Sequence, residues 1–215
     1  MKCFLVIILF FCGLQSFAQI RFGIKAGVGL SKQIDNQSIY PLSDIKYNRG
    51  ILTGCYLNLP MFNNSEYFFF QPELLFVQKG SQYSGNYDFG FGEVNYLDKT
   101  TLDYFEIPLS FKFLIPTLPF FITAGGYGSY FLGGYNNFES EDIPVEEQIY
   151  QRNNHTLIYD AGVHGGIGIQ KGLGSVKFVI DARYSIGLVD VAKSANETIN
   201  NSYVSISIDI LLLSN

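Results

Sequence analysis

Two stretches of the chain alternate strictly between apolar and small or polar residues. Ile20, Phe22, Ile24, Ala26, Val28 and Leu30 interleave with Arg21, Gly23, Lys25, Gly27, Gly29 and Ser31, and Val204, Ile206, Ile208, Ile210 and Leu212 interleave with Ser205, Ser207 and Asp209. Period two is the strand period, because successive side chains point to opposite faces of a pleated backbone. The first stretch is one strand, and the same reading predicts the others at about 51–59, 67–79, 102–114, 120–132, 157–170, 176–188 and 203–213, the last containing the second stretch. That makes eight, an even number. The connections alternate in length: 32–50, 80–101, 133–156 and 189–202 are long, while 60–66, 115–119 and 171–175 are short. Asn63-Asn64-Ser65 and Lys171-Gly172-Leu173-Gly174 carry residues that tolerate the positive φ of tight reversals.

The position of the charges then decides which face meets water. In the sixth predicted strand Tyr159, Ala161, Val163, Ile167 and Ile169 share a side, opposite Asp160, Gly162, His164, Gly166, Gly168 and Gln170. In the seventh, Val176, Phe178, Ile180, Ala182, Tyr184, Ile186 and Leu188 form one apolar stripe opposite Lys177, Asp181, Arg183, Ser185 and Gly187. Such a stripe on a water-facing surface would drive aggregation. The polar face gathers charges of both signs, which suits the narrow interior of a small barrel. The predicted lumen network is Lys25, Glu73, Glu106, Lys112, Asp160, His164, Lys177, Asp181, Arg183 and Asp209. An eight-stranded barrel is just wide enough to be filled by such side chains, and an unpaired charge there would be costly. Aromatic residues flank the strands. Phe62, Tyr67, Phe68, Phe113 and Phe120 lie by the short turns and Tyr47, Tyr83, Tyr104 and Tyr135 by the long loops, as two interfacial girdles would.

Composition agrees with this pattern. The chain holds 20 Phe, 15 Tyr and 22 Gly among 215 residues, yet no run after the first residues approaches the roughly 20 apolar residues of a spanning helix. Barrel strands need only about 9 to 11 residues, with half of them apolar. Residues 1–18 read as a secretory signal peptide: Lys2, an apolar stretch from Phe4 to Leu14, and Ser16-Phe17-Ala18 before the expected cut. Residues 19–215 form one predicted domain. Cys55 alone remains after cleavage, so no internal disulfide is expected. The net charge of −5 is mild and the basic residues are scattered, which argues against nucleic acid as a partner. The fold class that follows is all-β: an eight-stranded antiparallel up-and-down transmembrane β-barrel of the small OmpX/OmpA-like architecture, in the bacterial outer membrane with the long loops outside.

Four segments resemble a known family: Phe22-Gly23-Ile24-Lys25-Ala26-Gly27-Val28, Gln71-Pro72-Glu73-Leu74-Leu75-Phe76-Val77-Gln78-Lys79-Gly80, Tyr104-Phe105-Glu106-Ile107-Pro108-Leu109 and Arg183-Tyr184-Ser185-Ile186-Gly187-Leu188. In this order they are similar to the PorT-type outer-membrane β-barrel family of Bacteroidetes. The resemblance implies an outer-membrane barrel in which Glu73 and Glu106 match the family's inward glutamates on the third and fourth strands. One family member is tied to protein secretion, while most share only the barrel.

No residue set points to a cofactor, a metal or an enzyme. Asp160 and His164 share a strand face and are expected to pair by a hydrogen bond in the interior rather than to hold an ion. Glu139, Glu141, Asp142, Glu146 and Glu147 read as a solvated acidic loop, with divalent cations near lipopolysaccharide phosphates as the alternative. Gly27-Val28-Gly29 precedes no helix and is no nucleotide fingerprint. A lipid-modifying barrel enzyme would place a His at the outer rim, where His155 alone qualifies. The expected function is therefore a non-enzymatic, monomeric, structural or loop-presenting barrel. Its expected partners are outer-membrane lipids, lipopolysaccharide and the barrel-assembly machinery. The alternative is an accessory role beside secretion-system proteins.

Overall fold

The computed structural model describes residues 20–35, 44–62, 66–88, 93–140, 148–149, 158–191 and 199–212. Its elements are β1 (Arg21–Asp35), β2 (Asp44–Pro60), β3 (Phe68–Asp88), β4 (Glu93–Leu114), β5 (Phe120–Ser140), the two-residue β6 (Gln148–Ile149), β7 (Tyr159–Leu173), β8 (Val176–Gly187) and β9 (Ile199–Leu212). The long strands pair antiparallel with their chain neighbours, and β1 pairs with β9 from Gly23↔Leu211 to Asp35↔Ile199. That last pairing closes the ring of eight long strands, while β6 adds only Asn136↔Ile149 and Asn137↔Gln148 beside β5. No helix of the structure is long and apolar enough to cross a membrane. Strands make the crossing, and closure leaves no unpaired sheet edge facing hydrocarbon.

The faces follow the period-two pattern. Along β8, Phe178, Ile180, Ala182, Tyr184 and Ile186 are exposed, and Val179, Asp181, Arg183, Ser185 and Gly187 are buried. In β9 Val204, Ile206, Ile208 and Ile210 point out, while Ser205, Ser207, Asp209 and Leu211 point in. Polar inside and apolar outside is the arrangement of a barrel solvated by lipid. Glycines on the inner face make room for rings. A Cβ on Gly23 would fall within the ring of Tyr56 directly opposite it, and one on Gly168 would meet Phe121, its own partner across the ladder. Tyr56, Phe121, Val179 and Leu211 thus pack into an apolar plug with Leu114 beside them.

Several strands outrun the sequence expectation. The segment 80–101, expected to be a loop, continues the ladder instead: β3 and β4 stay paired from Gly80↔Thr101 to Asp88↔Glu93, and β4 pairs with β5 as far as Tyr96↔Ser140. The expected loops 32–50 and 133–156 likewise give up residues to β1, β2 and β5. Strands of 21 or 22 residues are about twice what a bilayer crossing needs, so β3, β4 and β5 stand above the rim as a three-stranded wall. Tyr and Thr in these segments favour pairing. The polar residues among them read as loop, because no buried face imposes alternation outside the membrane. At the opposite end, Leu173↔Val176 closes β7 and β8 around Gly174, whose φ of +61° a glycine adopts without strain.

The girdles are placed in part. Phe62, Tyr67, Phe113 and Phe120 are exposed at the short-turn end, with Phe62 on Phe68 at 5.9 Å and Phe68 on Phe111 at 6.0 Å. At the other end Tyr47 is exposed, but Tyr104 is fully buried in the lumen. Tyr104 shares the inward parity of Leu102 and Glu106 on β4, so nearness to a long loop does not put its ring in the girdle; the register shift beside it places the extra residue, Leu132, on β5. Tyr130 and Tyr159, 5.7 Å apart, supply outward rings instead. The face assignment predicts that Ile180→Arg lowers barrel stability by about 2 to 4 kcal/mol if the site is near the midplane. Urea titration of protein refolded in lipid vesicles measures this, and full tolerance of Ile180→Arg would mean the faces are inverted.

Candidate functional site: a lumen closed by paired charges

The inner face of the barrel brings charges from six strands into two clusters. In the first, Lys25 of β1 reaches Glu73 Oε2 of β3 at 3.1 Å and Asp181 Oδ2 of β8 at 3.0 Å. Arg183 of β8 donates to Glu73 Oε1 at 2.7 Å and to Asp181 Oδ2 at 3.1 Å. Two cations and two carboxylates thus form a closed four-membered circuit. Asp209 of β9 approaches Lys25 at 3.8 Å, and Gln71 Nε2 donates to Glu73 Oε1 at 2.8 Å. All these groups are buried. Buried charges survive only when their partners and hydrogen bonds replace the water they have lost, and the circuit supplies both.

The second cluster centres on Lys79 of β3, which pairs with Glu106 of β4 at 2.7 Å and Asp160 of β7 at 3.1 Å. Ser129 donates to Glu106 at 2.9 Å and Asn201 to Asp160 at 3.0 Å. The ammonium of Lys79 also lies 4.3 Å from the ring centroid of Tyr127 and 5.3 Å from that of Tyr104, so one cation is shared by two carboxylates and two π faces. Between the clusters Leu52, Leu75, Val77 and Tyr203 form a second apolar packet. The cavity they bound together with Lys25, Glu106 and Arg183 holds about 10 Å³, room for about one water molecule.

Of the residues expected in the lumen network, Lys25, Glu73, Glu106, Asp160, Asp181, Arg183 and Asp209 enter these clusters. Lys112 is buried but makes no ion pair among the described residues; its ammonium sits 3.9 Å from the ring centroid of Phe121. Lys177 lies only half-buried at the short-turn mouth, in a pocket with Arg21 and Glu66, away from both clusters. It shares the inward parity of Asp181, but four residues of strand carry it out of the interior. Asp160 and His164 do not bond each other. Asp160 turns to Lys79, while His164 Nε2 and Ser110 Oγ share a hydrogen bond of 2.8 Å. Gly125 lies between those two on the ladder, and its bare backbone leaves the span open.

The sequence reading missed Lys79 as a functional position, although Glu73, Leu75, Val77 and Lys79 keep one parity along β3 and so all face inward. Its place near the end of the predicted strand hid it. The acidic cluster Glu139, Glu141, Asp142, Glu146 and Glu147, His155, Asn63-Asn64-Ser65 and residues 1–18 lie outside what the structure describes of side chains. No group of ligating side chains among the described residues could hold a metal ion. Chemically, the arrangement fills the described lumen with side chains that pair with one another. Ser110 and His164 are both buried, and among the described residues no carboxylate orients the imidazole as a nucleophilic dyad requires.

A family model for an outer membrane protein beta-barrel domain matches residues 15–193. No curated protein matches the chain. Among solved structures, it is similar to Ail, the attachment invasion locus protein of Yersinia pestis, at 13% identity and a TM-score of 0.42, covering 90% of this chain and 99% of that one. It is also similar to Neisserial surface protein A, at 9% identity and a TM-score of 0.41 over 88% and 96% of the two chains. OprG from Pseudomonas aeruginosa follows at 11% identity, a TM-score of 0.38 and coverage of 90% and 96%.

The circuit predicts a specific pattern of stability. Arg183→Met removes one of two cations facing Glu73 and Asp181, and should cost about 3 to 5 kcal/mol by stranding buried carboxylate charge. Adding Glu73→Gln to that variant should recover a large part of the loss, giving a strong coupling in a double-mutant cycle. Denaturant titrations of the four proteins measure it, and additive losses would show that the two side chains do not act as a pair.

Proposed function

Because the chain belongs to the outer membrane protein β-barrel domain family, we propose that it is a non-enzymatic barrel whose lumen is shut by its own side chains. On this reading its work is done by the surface it presents outside the cell. The outer membrane is its place. The observation that carries the proposal is the pair of charge clusters separated by an apolar packet, with room for about one water between them. A pore needs a continuous water column, and the described part of this interior is occupied by paired charges and apolar side chains. The wall of β3, β4 and β5 above the rim and the loops beside it then form the part of the molecule most available to partners. The buried Ser110–His164 contact supports a packing role over a nucleophilic one. Export through cleavage after Ala18 and a monomeric state belong to the same proposal.

A second reading, an accessory component of a secretion system, draws on the PorT-type resemblance. Glu73 and Glu106 both sit inward and buried, on β3 and β4, as that resemblance implies. The first reading is tested in planar bilayers. Purified protein should give no steady single-channel current, whereas Lys79→Ala with Arg183→Ala, if it folds, should admit water and show measurable conductance. Large, steady currents from the wild-type protein would turn the reading into that of a porin.

A further inference from the structure

The lipid-facing wall carries a groove of about 680 Å³ among the described residues. Its geometry follows from the register. One side is the outward row Ile51↔Val28↔Ile206↔Ala182, running across β2, β1, β9 and β8. The other is the next outward row toward the long-loop end, Arg49↔Leu30↔Val204. The floor between them is the backbone of Gly50, Gly29 and Ser205, whose side-chain positions point into the lumen. Ala182 lowers one wall where Ile180 and Tyr184 on either side of it are bulky. At the far end the β2–β3 ladder shifts register between Tyr47 and Leu52, and Gln78 turns its amide oxygen to the freed Ile51 N–H at 3.4 Å. Across four strands the groove is roughly 14 Å long, at about 4.8 Å per strand step.

The groove ends in positive charge. Arg49 is exposed at the end of the upper row, and Lys32 lies two residues past Leu30 on the same outward face of β1. They are diagonal neighbours on adjacent strands, close enough to grip one anion together. Among the described residues neither has a carboxylate within 4.0 Å. Tyr47, exposed beside them, and Tyr184, whose hydroxyl meets Ser202 Oγ at 3.2 Å, mark the depth at which hydrocarbon gives way to headgroups. Two cations with no carboxylate partner among the described residues, at the mouth of an apolar trough, complement one class of molecule: an acyl chain that ends in phosphate. A guanidinium suits a phosphate because its planar fork matches two oxygens at once.

We propose that this groove is a binding site for a phosphorylated lipid of the outer leaflet, its acyl chain seated between the two rows and its phosphate held by Arg49 and Lys32. The site rests on the barrel's place in the outer membrane and is independent of whether the lumen conducts. It lies outside the sheet, so the lipid reaches it laterally without entering the barrel. Such a lipid would fix the barrel's depth and rotation relative to the long-loop surface.

Native mass spectrometry of the full chain in detergent tests the site, with diphosphorylated lipid A and its dephosphorylated counterpart as probes. The wild-type protein should retain one lipid A per barrel and prefer it by about tenfold or more over the dephosphorylated form, as expected for charge-assisted contacts to phosphate. Arg49→Glu with Lys32→Glu should abolish that preference, and Lys171→Glu at the short-turn end should keep it. Ala182→Trp should fill the trough and lower retention of both probes. Faster migration of unheated than of boiled samples on a detergent gel establishes that each variant is folded. Where the double reversal does not fold, Arg49→Gln must still reduce the preference. Equal retention of both probes by the wild-type protein, an unchanged preference in the folded charge variants, or a dimer in place of the lipid adduct would overturn the proposal.

Discussion

Every backbone N–H and C=O that enters hydrocarbon must find its partner within the protein, since no water is there to take it. A sheet meets that demand only by closing on itself, and here closure is the pairing of β1 with β9. Once the ring is shut, alternation along each strand has one consequence. The apolar half of every strand is committed to lipid, and the polar half is committed to a space only wide enough for side chains. The charges of the lumen are thus not placed there for their own stability. They are the inward half of a pattern whose outward half is required by the membrane.

That confinement explains the internal design. A small lumen cannot hydrate eight or more ionisable groups, so they are arranged to satisfy one another: Lys25 and Arg183 bridge the same two carboxylates, and Lys79 divides its charge between Glu106 and Asp160. Rings and glycines complete the filling. Tyr56 lies over Gly23 and Phe121 over Gly168, so the wall is thinnest where the contents are bulkiest. Lys112 shows the limit of ion pairing as the rule, because its charge rests on the face of Phe121. Apolar packets lie beside the charge clusters, but most of the buried side chains are polar or charged.

The outer surface is less uniform than an apolar belt need be. The groove between the rows of Val28 and Leu30, with Arg49 and Lys32 above it, forms an amphipathic feature on the side that touches lipid. The wall of β3, β4 and β5 extends beyond the rim. Neither is needed to close the barrel.

The sequence by itself determined the architecture. Strict alternation in β1, β8 and β9 set strand, face and environment together, because period two leaves no freedom in which side a residue takes. It also determined that Glu73, Asp181 and Arg183 face inward, by parity alone. Partnership was decided by the tertiary structure. Arg183 meets Glu73 from 110 residues away and Lys79 meets Asp160 from 81, across a lumen whose closure and stagger no local pattern encodes. Tyr104 obeys parity, buried with Glu106 although it lies near a long loop, whereas Lys177 marks where parity is not enough, because the strand carries it past the interior to the mouth. The extension of β3, β4 and β5 above the membrane was likewise decided by strand pairing, since outside the bilayer no apolar face writes its period into the sequence. A side chain's direction is a local property of the strand, whereas its partner is set by how the ring closes.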